Sequence, residues 1–182
     1  MSQSIIIMIM QNISNFNKIS DYLPIVTGAL IVDMVILFRI VIGLINIKSL
    51  NIWYNKFGLL AVVADVLSIV IGIIMSRFLY SFLFKEYSLI TFLVLTCAVQ
   101  FIHDILFALF FNSIPRNKSI ILDVFKDYAR EVGIQILFVD ALMMISTILI
   151  ASYLATWSTN SQIIVFIVSL YILPYLLYSI RQ

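Results

Sequence analysis

Four aspartates stand inside the apolar stretches of this 182-residue chain, at positions 33, 65, 104 and 140. A carboxylate near the middle of a membrane helix costs about 2.5 to 3.5 kcal/mol unless it is paired, protonated or hydrated. Lipid cannot stabilise such groups, so we expect Asp33, Asp65, Asp104 and Asp140 to face the interior of a helical bundle. Two chemistries are open to them. They bind or relay a proton or cation, or they are protonated and hydrogen-bond neighbouring helices together.

Small and polar residues accompany the aspartates at helical steps of three and four. The second apolar stretch carries Gly58, Ala61, Asp65, Ser68, Gly72 and Ser76, and the fourth carries Gly133, Asp140, Thr147 and Ala151. Small residues let helix backbones approach each other. We therefore expect Gly58, Gly72 and Gly133 to be helix-packing positions, and Ser68 and Gln100 to join the polar core.

His103 is the single histidine of the chain and precedes Asp104. Adjacent helical residues point about 100° apart, so the two are not expected to pair on one face. His103 can instead meet Asp33 or Asp140 across the bundle as a relay or ligand, or it is a satisfied core histidine. One histidine, one cysteine and no Gly-rich or nucleophile motif predict no metal centre, no cofactor and no enzymatic activity.

The elements that position these residues are predicted from composition. Hydrophobic residues make up 63% of the chain, charged residues only 11%, and the mean hydropathy is +1.14, which excludes an ordinary soluble domain. Five stretches are long enough to cross a bilayer: residues 23–45, 57–84, 87–111, 132–156 and 163–180. We predict an all-α, polytopic bundle that forms a single membrane domain over residues 1–182. Residues 1–20 are predicted to be an interfacial segment, and residues 121–131 an amphipathic start of the fourth span.

Charge sets the expected orientation and partners. The basic residues on one side of the five-span topology are Lys48, Lys56, Arg116, Lys118, Lys126, Arg130 and Arg181, against Lys18, Arg77 and Lys85 on the other. The positive-inside rule then predicts a cytoplasmic carboxyl terminus and an external amino terminus. A net charge of +2 is too small and scattered to indicate nucleic-acid binding. The lipid bilayer is the expected partner, and a homo-oligomer is an open alternative.

Sliding the chain against itself suggests an internal repeat. An offset of 75 residues aligns Trp53 with Tyr128, Gly58 with Gly133 and Asp65 with Asp140, and an offset of 71 aligns Asp33 with Asp104. The pattern predicts a parallel repeat of two helix pairs, residues 23–84 and 87–156, related by a pseudo-twofold axis along the membrane normal. Residues 163–180, which contain no acidic residue, are predicted to form an additional peripheral helix.

One part of the chain has a recognisable sequence pattern. It comprises Asn112-Ser113-Ile114-Pro115-Arg116, then the segment from Asp123 to Gly133, then Asp140-Ala141-Leu142-Met143-Met144. This part, about a third of the chain, resembles polytopic membrane proteins encoded by large double-stranded DNA viruses of eukaryotes. The resemblance implies a location in a viral internal membrane or in a host membrane during infection. The alternative to proton or cation handling is a structural role in such a membrane, in which the aspartates fix helix pairing and the basic cytoplasmic loops contact anionic lipid, a capsid protein or another membrane protein.

Overall fold

The computed structural model of the chain describes residues 10–179. Within that range it contains seven α-helices, one short 3-10 helix at Ile19–Asp21, and no β-strand. The helices are α1 (Tyr22–Val41), α2 (Lys48–Phe57), α3 (Leu59–Leu83), α4 (Leu89–Ser113), α5 (Ile120–Val132), α6 (Gln135–Leu154) and α7 (Thr159–Leu177). The all-α fold class predicted from the sequence is confirmed.

Five of these helices are long and apolar enough to cross a bilayer, namely α1, α3, α4, α6 and α7. Their mean hydropathies lie between 1.8 and 2.6, and their outward faces carry large apolar side chains. The five predicted spans are confirmed, with ends that move by up to four residues. For example, the first span ends at Val41 rather than Ile45, because Gly43 turns the chain away with a φ of 75°. The chain is therefore an integral, multi-pass membrane protein.

Four of the spans form a closed ring around the polar residues. Helix α1 packs against α3 and α6, and α4 packs against the same two helices from the other side. Helix α7 lies outside this ring, against α1. At the α1–α6 contact, a Cβ added to Gly28 would lie 3.0 Å from the Thr147 carbonyl oxygen and 3.3 Å from the Ala151 nitrogen. Gly28, which the sequence analysis overlooked, is thus a site of close backbone approach.

Of the three glycines predicted to pack helices, only Gly72 does so. A Cβ at Gly72 would lie 2.8 Å from the Met144 methyl group on α6. The prediction is wrong for Gly58 and Gly133, where an added Cβ would meet nothing within 4 Å. Their φ values are 54° and 66°, a backbone conformation that favours glycine, so they are turn residues.

Each of these two turns separates a short amphipathic helix from a span. Helix α2 lies in the connection between the first two predicted spans, and α5 ends at Val132 instead of continuing into the fourth span. The predicted continuation of residues 121–131 into the fourth span was wrong, because Gly133 ends the helix with a φ of 66°. Helix α2 follows α1, and α5 follows α4, so both lie at the same end of the bundle and contact each other. We call this end the α2/α5 face.

The opposite end of the bundle is closed by residues 11–21. Ile13 is fully buried, and the Gln11 backbone N–H donates to the Ser152 carbonyl oxygen. The buried Arg77 guanidinium of α3 donates to the Asn15 and Lys18 carbonyl oxygens and lies 3.5 Å from the Asp21 carboxylate. The described part of the predicted interfacial segment therefore packs into the bundle. The rest of the predicted interfacial segment, residues 1–9, lies outside the described residues.

Candidate polar site at the α2/α5 face

The four intramembrane aspartates lie at one level of the bundle. Asp33 and Asp104 precede the ends of α1 and α4 by eight and nine residues, and Asp65 and Asp140 follow the starts of α3 and α6 by six and five. At about 1.5 Å per residue, all four are about 8 to 14 Å from the α2/α5 face along the helix axes. This common depth follows from the alternating direction of the spans.

Asp33 is the most enclosed of the four, with no exposed surface. Its Oδ1 accepts a hydrogen bond of 3.0 Å from the Tyr54 hydroxyl of α2, and its Oδ2 has no hydrogen-bond partner. The aromatic ring of Tyr54 is itself buried. A side chain from outside the spans therefore reaches down to the carboxyl group.

Asp65 has a second partner on the same short helix. The Trp53 indole N–H lies 3.0 Å from Oδ2 and 3.2 Å from Oδ1 of Asp65, so it donates to this carboxylate. The Asp65 carboxylate is also near the Tyr54 hydroxyl, so this O–H group interacts with two carboxyl groups while donating its hydrogen bond to Asp33. Asp33 and Asp65 are near enough to repel each other when both are ionised.

Burial raises the pKa of Tyr54 well above its ordinary value, and the neighbouring Asp33 and Asp65 carboxylates raise it further. Tyr54 is consequently a neutral O–H donor at physiological pH. Tyr128 of α5 behaves similarly: burial raises its pKa, and Asp140 and Asp65 add to the effect. Helices α2 and α5 thus each place a protonated tyrosine hydroxyl near the carboxyl groups.

Asp104 is held by its own helix. The Gln100 amide donates a hydrogen bond of 2.7 Å to Asp104 Oδ1, and the His103 Nδ1 lies 3.2 Å from the same oxygen. The expectation that His103 and Asp104 do not pair was wrong, because the two side chains bend toward each other despite their different starting directions. The His103 side chain remains 43% exposed and stacks on Phe107, with the ring centroids 5.9 Å apart.

Asp140 links the part of the cluster around Asp65 to the part around Asp104. It is close enough to Asp104, Asp65 and His103 to interact electrostatically with all three. The four aspartates therefore form one group with Gln100, His103, Trp53, Tyr54 and Tyr128, which we call the aspartate cluster. Among the described residues, no lysine or arginine forms an ion pair with any of the four.

Ser68 does not belong to the aspartate cluster. It is exposed on the outer face of α3, and its hydroxyl donates to the Asp65 backbone carbonyl 2.8 Å away. Gly72, in contrast, borders the cluster, since a Cβ there would lie 3.4 Å from Gln100 Oε1. Within residues 10–179, no three histidine, cysteine, aspartate or glutamate side chains gather closely enough to hold a metal ion.

Sequence reasoning missed Trp53, Tyr54 and Tyr128 as members of the site, because aromatic residues near span ends are usually interfacial anchors. The sequence did contain a signal for a helix with one buried face in this polar segment. Its apolar residues recur at helical spacing and share one face, namely Leu50, Trp53, Tyr54 and Phe57. That face is the one that lies on the bundle.

No family model, curated protein or solved structure matches this chain.

Proposed function

We propose that this multi-pass membrane protein is a small proton channel or carrier and that the aspartate cluster is its proton-binding site. One observation carries the proposal: four carboxyl groups from four spans lie together without a pairing lysine or arginine among the described residues. Such a cluster is costly when fully ionised, so its members bind and exchange protons to limit their charge.

A series of neighbouring polar groups supports proton transfer rather than simple proton storage. The Tyr54 hydroxyl donates to Asp33 and lies near Asp65, and the Asp140 carboxyl interacts electrostatically with both Asp65 and Asp104. At the far end of the series, His103 contacts Asp104 and is partly exposed. Hydroxyl, carboxyl and imidazole groups both donate and accept protons, so each neighbour can pass one on.

Helix α2 is the proposed barrier between the cluster and water at the α2/α5 face. Trp53 and Tyr54 stand over Asp65 and Asp33, and the helix is flanked by Gly43 and Gly58, both with positive φ. Displacement of α2 about these two turns uncovers the two carboxyl groups. The proposal therefore makes access to Asp33 and Asp65 depend on α2.

The test is proton flux into liposomes that contain the purified chain and a trapped pH-sensitive dye. We expect wild type to pass protons faster than empty liposomes, and Asp33→Asn and Asp65→Asn to lower the flux at least tenfold. Glu86→Gln, an exposed change outside the spans, is the matched control and keeps wild-type flux. Wild-type flux equal to that of empty liposomes overturns the proposal.

A structural role is the second candidate, and the bonds of Trp53 and Tyr54 favour it. Here the aspartates fix α2 and the spans to one another, in a viral internal membrane or a remodelled host membrane as the sequence resemblance implies. On this alternative, no variant conducts protons and Asp33→Asn unfolds more readily than wild type. The two candidates are separated by measuring flux and unfolding on the same preparations.

Two further features belong to the proposal. We propose that residues 23–84 and 87–156 are copies of one unit, because each contains a span, a short amphipathic helix, a positive-φ glycine and a second span. We also propose that the α2/α5 face is cytoplasmic. It carries Lys48, Lys56, Arg116, Lys118, Lys126 and Arg130, whereas the opposite end carries Lys18, Arg77 and Lys85.

A further inference from the structure

An open cavity of about 490 Å³ lies beside α5, outside the aspartate cluster. It is bordered by the end of α4, by the connection around Pro115, and by one side of α5. Helix α4 is a 25-residue span, so its end reaches the level of the lipid headgroups. The cavity therefore opens at the depth at which phospholipid phosphates lie.

Three cationic side chains line this cavity: Arg116, Lys126 and Arg130. Arg116 forms an exposed ion pair of 2.8 Å with Asp127, and the Lys126 ammonium donates to the Ile114 carbonyl oxygen. Arg130 is exposed, and its guanidinium makes no ion pair or hydrogen bond within residues 10–179. In the described part of the chain, the lining holds three cations and no carboxylate, and only Arg116 is paired with a carboxylate, so positive charge is in excess and the guanidinium of Arg130 is free to bind a ligand.

The orientation of α5 turns these cations away from the bundle. Val124 is buried, and the Phe125 ring packs on Trp53 and on Phe107, with centroid separations of 4.9 and 5.2 Å. The apolar side of α5 is thus occupied by the protein, and its basic side borders the cavity. An amphipathic helix in this position at a membrane surface interacts with anionic lipid through its cations.

We propose that the cavity bordered by Arg116, Lys126 and Arg130 binds the phosphate group of an anionic phospholipid. Guanidinium groups bind phosphate oxygens with two parallel hydrogen bonds, and Arg130 is available to do so. The Asn112 side chain at the cavity wall supplies a further amide donor to the headgroup. The site is separate from proton binding, so either proposal can fail without the other.

The experiment is native mass spectrometry of the full chain in detergent, with added phosphatidylglycerol or with phosphatidylcholine as the zwitterionic reference. Each cation near an anionic lipid contributes about fivefold in binding. We expect Arg116→Gln and Arg130→Gln each to reduce retained phosphatidylglycerol about fivefold, with phosphatidylcholine unchanged. Lys85→Gln, an exposed cation beyond the other end of the bundle, is the matched control and retains wild-type binding.

Two additional arms keep the result unambiguous. Asp127→Asn releases Arg116 from its ion pair, so it should raise phosphatidylglycerol retention, a gain that a misfolded variant cannot give. Millimolar inorganic phosphate should not displace the lipid; displacement would assign the cavity to a soluble anion and overturn the lipid proposal. Equal retention by Arg130→Gln and Lys85→Gln would overturn it as well.

Discussion

The Tyr54 hydroxyl donates a 3.0 Å hydrogen bond to the carboxyl group of Asp33, a residue with no exposed surface. The donor belongs to a short amphipathic helix and the acceptor to a span, so this single bond connects the membrane interior to a surface element. The same short helix also provides Trp53 to Asp65. The aspartate cluster is thus completed from outside the four-helix ring.

Tyr54→Phe should destabilise the protein, since it leaves Asp33 without its donor. We expect a loss of about 1 to 2 kcal/mol in the free energy of unfolding, measured by SDS-induced unfolding in mixed micelles. Tyr153→Phe, at an exposed position on α6, is the matched control and should change little. An unchanged unfolding midpoint for Tyr54→Phe would show that the bond does not hold α2.

Gly28→Ala should cost more stability than Gly72→Ala, although the contact at Gly72 is the shorter one. The new methyl group at Gly28 meets the backbone of α6, which cannot move without separating two spans. At Gly72 it meets the end of the flexible Met144 side chain. We expect about 1 to 3 kcal/mol for Gly28→Ala and less for Gly72→Ala, by the same unfolding assay. The reverse order would contradict the packing described for α1 and α6.

Arg77→Gln should release the segment that closes the end opposite to α2. It removes the donor to two carbonyl oxygens and leaves the buried Asp21 with only Lys18, 2.8 Å away. Breaking a buried ion pair from one side costs about 3 to 5 kcal/mol. We expect faster hydrogen exchange and proteolysis in residues 11–21, because the Arg77 Nη2 group no longer donates to the Asn15 and Lys18 carbonyl oxygens. Lys85→Gln, near the end of the same helix, should leave the segment protected.

Glu131→Gln should loosen the start of α2. The Glu131 carboxylate accepts from the Ser49 hydroxyl at 2.6 Å and from the Ser49 and Lys48 backbone N–H groups at 2.9 and 2.8 Å. These bonds lower the pKa of Glu131, led by the bond from the Ser49 hydroxyl. Because the folded pKa lies below the ordinary value of 4.5, the stabilisation is present above that pH and is lost as the pH falls through the folded pKa.

Hydrogen exchange of the α2 amides measures this effect. Protection of wild type should be full at neutral pH and decrease on acidification below about 4.5, whereas Glu131→Gln should be less protected at neutral pH and lack this acid-dependent loss. Glu86→Gln, a change at the opposite end, should follow the wild-type profile. If acidification leaves α2 protected, then Glu131 does not contribute to its attachment.

Gly58→Ala and Gly133→Ala should destabilise the protein by similar amounts, although neither glycine touches a neighbouring helix. Their φ values of 54° and 66° put any β-carbon in a strained backbone conformation, at a cost of about 1 to 3 kcal/mol. Ala64→Val, on the exposed face of α3, is a suitable control for the unfolding measurements. Tolerance of one substitution but not the other would count against equivalent turns in the two halves.

The spans were predictable from sequence because each has about 20 apolar residues and a clear interruption at both ends. The convergence of the aspartates was predictable for the same reason, since a carboxyl group in a span has few places other than the bundle interior. Helix α2 was not predicted, because its ten residues are neither apolar enough for a span nor free of Asn and Lys. The role of its apolar face can be recognised only when the bundle on which it packs is known.

Contacts between segments that are far apart in the chain could not be predicted from the sequence. The Arg77 guanidinium was expected only as a charge at a span end, whereas it is buried and bonded to carbonyl oxygens about 60 residues earlier. Gly58 and Gly133 were misassigned because spacing alone does not distinguish a glycine that packs from a glycine that turns. The distinction depends on φ, which hydrophobic patterns do not report.

The position of α1 has a consequence for biosynthesis. Helix α1 leaves the ribosome first among the spans, yet two of its three neighbours, α6 and α7, are the last to be made. During translation, Asp33 therefore enters the translocon or the bilayer before α6 and α7 have been made, with only the earlier segments beside it. The ring closes only when α6 has been made, so insertion chaperones that shield polar residues in unfinished bundles would act on this chain at α1.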